Sequence, residues 1–176
     1  MTSPADAFAL QVGSAAPDFE LSNQHGEPVR LSSLRGQNVV VVFYPFAFSG
    51  ICTGELCEIR DNLGDFTTAN ATVLAVSVDS KFTLRAYADK EGYDFDLLAD
   101  FWPHGGVASL YGVFDPDSGM ARRGTFIIDA QGIIRYVVVN PRGRARDLQE
   151  YRQALSELST AASEESAAVA VGPAQG

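Results

Sequence analysis

Residues 39–55 read VVVVFYPFAFSGICTGE, and the rest of the fold can be built outward from this stretch. Its first part, residues 39–44, is an unbroken β-branched and aromatic run, which is typical of a central strand buried on both faces. Pro45 ends the strand because proline lacks the N–H that a strand ladder requires. A loop then leads into a helix predicted over residues 52–66, where apolar residues recur every three or four positions. The stretch therefore predicts a strand, a loop and a helix, with Cys52 where the helix begins.

The flanking sequence adds strands and helices to this unit. The predicted elements are an N-terminal hairpin (17–21 and 29–31), a strand (72–78), a helix capped by Asp79-Ser80 and ended by Gly92, a short strand (97–98), a short helix (107–111), a second hairpin (124–129 and 133–139) and a last helix (147–160). This order predicts an α/β fold, a mixed sheet with helices on both faces. A thioredoxin-like fold fits the order, and on pattern alone a flavodoxin-like sheet fits nearly as well.

The length of the chain suits one domain with a full hydrophobic core, because 176 residues bury enough apolar surface to fold as a unit. We expect this single domain to span residues 1–160. Residues 161–176 contain few groups that can pack, so we expect a disordered C-terminal tail there.

Composition and charge exclude several classes of function. The formal net charge of −9, with no cluster of Lys or Arg, disfavours nucleic acid and anionic membranes as partners. The N-terminal residues MTSPADAFAL lack the basic and long apolar regions of a signal peptide. The longest apolar stretch, near residues 39–48, is too short to span a bilayer. We therefore expect a cytoplasmic protein with neither a nucleic-acid nor a membrane partner.

The chain has only two cysteines, Cys52 and Cys57, and they lie in one motif. A secreted scaffold would use more cysteines, spread along the chain. A bond between these two closes a very small loop and would add little stability, so their reactivity is the better explanation. Neither His25 nor His104 has a spacing to the cysteines that is typical of a zinc site, and we expect no metal.

The position of Cys52 favours nucleophilic chemistry. A helix N-terminus carries partial positive charge and unpaired N–H groups, which favour the reactive thiolate. Pro45 can shape and shield a pocket, and Ser49 offers a hydroxyl three residues before the cysteine. A nearby guanidinium would hold the thiolate by charge attraction. Arg123, just before a predicted strand, is the best candidate, with Arg122 as the alternative.

This segment resembles the peroxiredoxin signature Pro-x-x-x-Thr/Ser-x-x-Cys, here Pro45, Ser49 and Cys52. The resemblance extends over roughly residues 10–158 and includes APDF at 16–19 and RGTF at 123–126. The segments FSGIC at 48–52, GEL at 54–56 and DFWPHG at 100–105 look like the alkyl hydroperoxide reductase E subgroup. The combined set is much more specific than the motif of Pro45, Ser49 and Cys52 alone.

The resemblance implies a thioredoxin-like fold and a thiol-dependent peroxidase that reduces hydrogen peroxide, organic hydroperoxides and peroxynitrite. Cys52 would attack the terminal oxygen and become a sulfenic acid. Pro45, Ser49 and Arg123 match the active-site positions of the family, and Glu55 matches a position that organises the pocket. Threonine is commoner than serine at position 49, so this pocket lacks one methyl group.

The resemblance also limits the cofactors and partners. The family needs no metal or organic cofactor, and homodimers are common in it. The thiol reductants that it implies are thioredoxin, a glutaredoxin-like protein, or mycothiol with mycoredoxin.

Cys57 matches the resolving cysteine of the bacterioferritin-comigratory subgroup, which has this same spacing. On an intact helix the two cysteines are roughly 140° apart and about 7.5 Å along the axis, so a disulfide requires the helix to unwind. The alternative is that Cys57 is an inert packing residue. Because Cys57 lies away from the apolar stripe of Leu56 and Ile59, we favour the resolving role.

Three other functions remain open at this point. A thioredoxin-like disulfide oxidoreductase would need Cys-x-x-Cys, whereas four residues separate these cysteines. A redox sensor would react with peroxide at Cys52 but pass the oxidation to a partner. A binding module would keep the fold and have a slowly reacting Cys52.

Overall fold

The computed structural model describes residues 10–141 and 143–170. In chain order its strands are β1 (Glu20–Asn23), β2 (Pro28–Arg30), β3 (Asn38–Phe43), β4 (Ala71–Ser77), β5 (Asp96–Ala99), β6 (Phe114–Asp115), β7 (Met120–Ala121), β8 (Arg123–Ile128) and β9 (Ile134–Asn140). Its helices are α1 (Gly50–Asp61), α2 (Leu63–Thr68), α3 (Lys81–Glu91), α4 (Gly106–Leu110) and α5 (Leu148–Ala170), and a 3-10 helix spans Leu31–Leu34.

A seven-stranded mixed sheet in the order β2-β1-β5-β4-β3-β8-β9 forms the centre of the fold. The neighbours β3, β4 and β5 are parallel. The pairs β1–β2, β1–β5, β3–β8 and β8–β9 are antiparallel. Since a flavodoxin-like sheet is mostly parallel in the order 2-1-3-4-5, the flavodoxin-like alternative is wrong. The predicted mixed sheet is confirmed.

The central strand β3 divides the hydrophobic core into two layers. Val40, Val42 and Tyr44 point into one buried cluster, while Val39, Val41 and Phe43 point into the other. This alternation is the two-residue period of a strand, and both sets are buried because the sheet is covered on both faces. Cys52 belongs to the first cluster, so its helix packs on the same face as Tyr44.

Two predicted helices differ in extent from those in the structure. The helix predicted over 52–66 begins at Gly50 and is interrupted at Asn62, which has φ −116° and ψ 19°. The Asn62 side-chain amide donates to the Glu58 carbonyl at 2.8 Å, a local bond that competes with the helix.

The prediction of a disordered tail from residue 161 is wrong for residues 161–170, which continue α5 to Ala170. These residues are rich in alanine, so they extend the helix by intrinsic propensity while remaining exposed over 161–169. Residues 171–176 of the predicted tail lie outside the described residues. Within the described part of the chain, no helix has the length and apolarity needed to cross a membrane.

Candidate active site

The loop that follows β3 delivers Cys52 into the first turn of α1. Ser49 is the N-cap residue, with extended backbone angles of φ −73° and ψ 138°, and its carbonyl accepts the first helical bond from the Thr53 N–H at 2.9 Å. Cys52 is the third residue of the helix, where backbone N–H groups have no partner within the helix. Its side chain is 3% exposed, so the sulfur lies beneath the surface in a site shielded from bulk water.

The loop from residue 45 to 49 is held by the strand next to it. The Ala47 N–H donates to Asp79 Oδ2 at 2.8 Å, and the Ser77 hydroxyl donates to the same oxygen at 2.7 Å. Phe48 adopts a left-handed conformation with φ 66°, and its ring centroid lies 4.8 Å from that of Tyr87. A left-handed phenylalanine is strained, so these contacts compensate for a backbone shape that the loop needs.

The Ser49 hydroxyl donates to the Phe46 carbonyl at 3.0 Å. Its oxygen keeps lone pairs that can accept a hydrogen bond from a substrate. The Ser49 hydroxyl can therefore hold the loop by donating to Phe46 and at the same time accept a hydrogen bond from a substrate.

Glu55 joins two buried arginines behind the cysteine. The Arg146 guanidinium Nη1 donates to Glu55 Oε2 at 2.7 Å, and the Arg146 backbone N–H donates to Glu55 Oε1 at 2.8 Å. Arg123 Nη2 forms an ion pair with the same Oε1. Side-chain exposures are 6% for Arg123, 4% for Glu55 and 0% for Arg146, so this charge cluster is almost fully desolvated.

Both arginines are also tied to backbone carbonyls. Arg123 Nη1 donates to the Arg144 carbonyl at 2.5 Å, and Arg146 Nη2 donates to the Phe43 carbonyl at the end of β3. Such bonds fix the orientation of each planar guanidinium. The arginines are therefore held in place before any substrate arrives.

The pKa values of the two arginines depend on the groups around them. Burial lowers the pKa of Arg123, the positive charge of Arg146 lowers it further, and Cys52 and Tyr151 act in the opposite direction. Burial also lowers the pKa of Arg146, while Tyr151 and Cys52 oppose that shift. Because Cys52 contributes to the pKa of both arginines, both guanidiniums lie near its sulfur.

Arg123 rather than Arg122 is the residue that points inward. Arg123 is buried at the start of β8, whereas the neighbouring Arg122 is exposed. Arg146 was missed from the sequence, because the segment PRGRARD at 141–147 has the composition of a solvated loop. No local signal separates the buried Arg146 from the exposed Arg144 two residues earlier, since the partner of Arg146, Glu55, is 91 residues away.

Replacing Glu55 by glutamine is expected to lower the free energy of unfolding by about 3–5 kcal/mol, because two buried guanidiniums lose their shared counter-charge. Urea denaturation of both proteins measures the change. Asp65→Asn is the matched control: it breaks the exposed Arg152–Asp65 pair of 2.7 Å, for which about 1 kcal/mol or less is expected. Similar losses in the two variants would contradict the structural role of Glu55.

A cavity of about 280 Å³ lies beside the cluster. Its wall has an apolar part and a polar part with two guanidiniums, formed by Pro45, Met120, Ala121, Val139 and Pro141 and by Asp115, Arg122, Arg123 and Asn140. The cavity thus brings two predicted site residues, one from the loop after β3 and one from β8, to the same opening. It can admit a small molecule that has a polar end and an apolar substituent.

Cys57 lies further along α1, on a different side from the arginines. It is half-buried, and its Sγ is 3.6 Å from the Tyr93 hydroxyl and 3.8 Å from Glu91 Oε2. Both cysteines are free thiols. Leu56 and Ile59 are fully buried, so the apolar stripe and Cys57 diverge as the helical periodicity predicts.

No group of three or more His, Cys, Asp or Glu side chains is arranged to hold a metal ion in the described part of the chain. His104 instead bonds through Nε2 to the Gly119 carbonyl at 2.7 Å, a contact between two loops.

Comparison with known proteins shows which family builds this site. Residues 12–137 match the model of the AhpC/TSA family. The chain is a peroxiredoxin of that family. The resemblance drawn from Pro45, Ser49 and Cys52 is thereby confirmed.

Individual relatives agree with this assignment. The peroxiredoxin is 45% identical to alkyl hydroperoxide reductase E of Mycobacterium tuberculosis over 151 residues, 85% of this chain and 99% of that protein. It is 40% identical to peroxiredoxin-2 of Mus musculus over 149 residues, 78% of this chain and 74% of that protein. The crystal structure of peroxidoxin BcpB from Mycobacterium tuberculosis superposes with a TM-score of 0.75 at 32% identity, covering 86% of this chain and 97% of that one.

These likenesses confirm two predictions at once. The peroxiredoxin has the expected thioredoxin-like fold, and its function is that of a thiol-dependent peroxidase. None of these relatives supports the alternatives of a thioredoxin-like disulfide oxidoreductase or a binding module.

Proposed function

We propose that Cys52 is the peroxidatic nucleophile of this enzyme. Its thiolate attacks the terminal oxygen of a hydroperoxide ROOH, an S–O bond forms as the O–O bond breaks, and the leaving alkoxide takes a proton to become ROH. The sulfur is left as a sulfenic acid, oxidised by two electrons, while the peroxide is reduced. The observation that carries this assignment is that Cys52 is buried in the first turn of α1, three residues before Glu55, which pairs with two buried guanidiniums.

Arg123 is the residue proposed to act on the peroxide itself. It lines the cavity beside Pro45, and its charge is desolvated, so it stabilises the negative charge that develops on the leaving oxygen more strongly than it would in water. Ser49 accepts or donates a hydrogen bond at the substrate oxygen, and Pro45 shields the pocket from water. Glu55 and Arg146 are positioning residues, because they act through Arg123 and the charge around Cys52.

The sulfenic acid must then be resolved, and we propose Cys57 as the thiol that does so. Its sulfur attacks Cys52–SOH, a disulfide forms, and the hydroxyl leaves as water with the thiol proton. Cys57 is the only other cysteine of the chain, and its half-buried sulfur makes only long contacts to Tyr93 and Glu91. Because both cysteines lie on α1, this step requires residues between them to leave the helix.

Cys57→Ser is expected to leave the rate of the first oxidation unchanged, because Cys57 lies outside the cluster around Arg123. The product changes instead. Intact mass after one equivalent of hydrogen peroxide, with a sulfenic-acid trap present, should show loss of two hydrogens for the native protein and one trap adduct for the variant. A trap adduct on Cys52 of the native protein would show that an external thiol resolves it and that Cys57 is a bystander.

The recycling partner is proposed to be a thiol reductant of the thioredoxin, glutaredoxin-like or mycothiol/mycoredoxin type. Peroxiredoxins act with thiol reductants and often form dimers, and we propose a homodimer here as well. A cytoplasmic location suits the cycle, since both cysteines must return to thiols in a reducing compartment. Peroxide consumption measured with each reductant in turn identifies the partner.

A further inference from the structure

Two tyrosine hydroxyls contact the segment of α1 that separates the two cysteines. The Tyr93 hydroxyl donates to the Thr53 backbone carbonyl at 3.3 Å. The Tyr87 hydroxyl lies 2.9 Å from Thr53 Oγ1 and 3.4 Å from the Tyr93 oxygen. Since the Cys57 sulfur is 3.6 Å from the Tyr93 hydroxyl, Tyr93 contacts this segment at both of its ends.

These tyrosines are themselves held rigidly. Both are buried, and their rings meet edge to face with centroids 5.1 Å apart. Phe48, from the loop before Cys52, packs on Tyr87 at 4.8 Å. Burial raises the pKa of Tyr87 and of Tyr93, so both phenols stay protonated and keep the proton that each needs as a donor.

The contacts matter because disulfide formation and the helical form exclude one another. In the helix the cysteines are too far apart and face different directions, so residues 53–57 must be released before the sulfurs can meet. Release breaks the bonds of Tyr87 and Tyr93 to Thr53 and the contact of Tyr93 with Cys57. Because these bonds exist only in the helical form, each of them lowers the population of the released form.

We propose that Tyr87 and Tyr93 are positioning residues that hold residues 53–57 in the helix and thereby set how the Cys52 sulfenic acid is divided between two fates. The inference rests on the proposed resolving role of Cys57. In one fate Cys52–SOH and Cys57–SH give the disulfide and water. In the other, Cys52–SOH and a second ROOH give the sulfinic acid Cys52–SO₂H and ROH, which inactivates the enzyme.

The first test compares Tyr93→Phe and Tyr87→Phe with a matched control. Tyr111→Phe also removes one tyrosine hydroxyl that donates to a backbone carbonyl, that of Pro17 at 2.8 Å, but it lies in the core cluster on the other face of the sheet. Mass spectrometry at increasing hydrogen peroxide gives the concentration at which half of Cys52 is sulfinic acid. We expect this concentration to rise about five-fold in Tyr93→Phe, the factor for one lost hydrogen bond, and to stay unchanged in Tyr111→Phe.

A second measurement tests the opening of α1 without any oxidation of Cys52. Hydrogen–deuterium exchange of the reduced proteins reports the opening of residues 50–61, and we expect about five-fold faster exchange there in Tyr93→Phe than in Tyr111→Phe.

The outcomes separate this proposal from the role of Cys57. Normal disulfide formation with the same sulfinic-acid threshold and the same exchange in Tyr93→Phe and Tyr111→Phe would overturn the positioning role alone. A sensitivity to peroxide that increases in Tyr93→Phe would overturn it as well. A native protein that forms the sulfenic acid but never the disulfide would overturn the resolving role of Cys57, and the division between two fates would fall with it.

Discussion

Cys52→Ser is expected to reduce peroxide consumption to the rate measured without enzyme. A serine hydroxyl is not ionised near neutral pH, and oxygen is a far weaker nucleophile toward a peroxide than a thiolate, so the first step has no substitute. Peroxide consumption with excess dithiothreitol measures the loss. Cys57→Ser serves as the control, since it should retain the first oxidation and thus consume peroxide when a small thiol resolves Cys52.

The loss of activity in Cys52→Ser can be assigned to chemistry rather than to misfolding, because serine fits in the place of cysteine. Cys52 is 3% exposed and packs in the cluster with Tyr44 and Leu56, and exchange of sulfur for oxygen leaves this packing nearly the same. Thermal unfolding of the variant should therefore stay close to that of the native protein. Retained peroxidase activity in a folded Cys52→Ser protein would refute the assignment of the nucleophile.

Arg123→Ala is expected to slow the oxidation of Cys52 by about 10²–10³-fold, the usual cost of removing one group that stabilises charge in a transition state. The guanidinium lines the cavity and is desolvated, so no water can replace its charge with equal effect. Stopped-flow measurement of the second-order rate constant with hydrogen peroxide gives the change. The control is Arg85→Ala, which removes an exposed guanidinium on α3 that does not line the cavity and should leave the rate within about two-fold.

The remaining ion pair keeps Arg123→Ala folded. Glu55 still has both bonds from Arg146, so its carboxylate stays paired when Arg123 is absent. An unchanged rate in Arg123→Ala would place the catalytic guanidinium elsewhere. The structure then makes Arg146 the next candidate, since Arg122 is exposed and Arg146 is buried within reach of Cys52.

Local features of this protein were predictable from the sequence because neighbouring residues produce them. Residues 39–43 of the run at 39–44 lie in the buried strand β3, since every residue of the run is β-branched or aromatic. Ser80 caps α3 by accepting from the Thr83 N–H, and Gly92 ends it with φ 71°, a conformation that glycine adopts without strain. The position of Cys52 at the start of a helix was predictable for the same reason, because it follows from the residues of the motif around it.

What the sequence determined by itself was the order of most strands and helices and the position of Cys52 at the start of a helix. Only the tertiary structure decided the sheet order, the burial of Arg146 against Glu55, and the contacts of Tyr93 with Thr53 and Cys57. These contacts join residues 36 to 91 positions apart, and each depends on how α1, α3 and the segment before α5 pack on one face of the sheet. Hydrophobic periodicity specifies which face of an element is buried, but it does not specify which distant polar group a buried charge or hydroxyl will meet there.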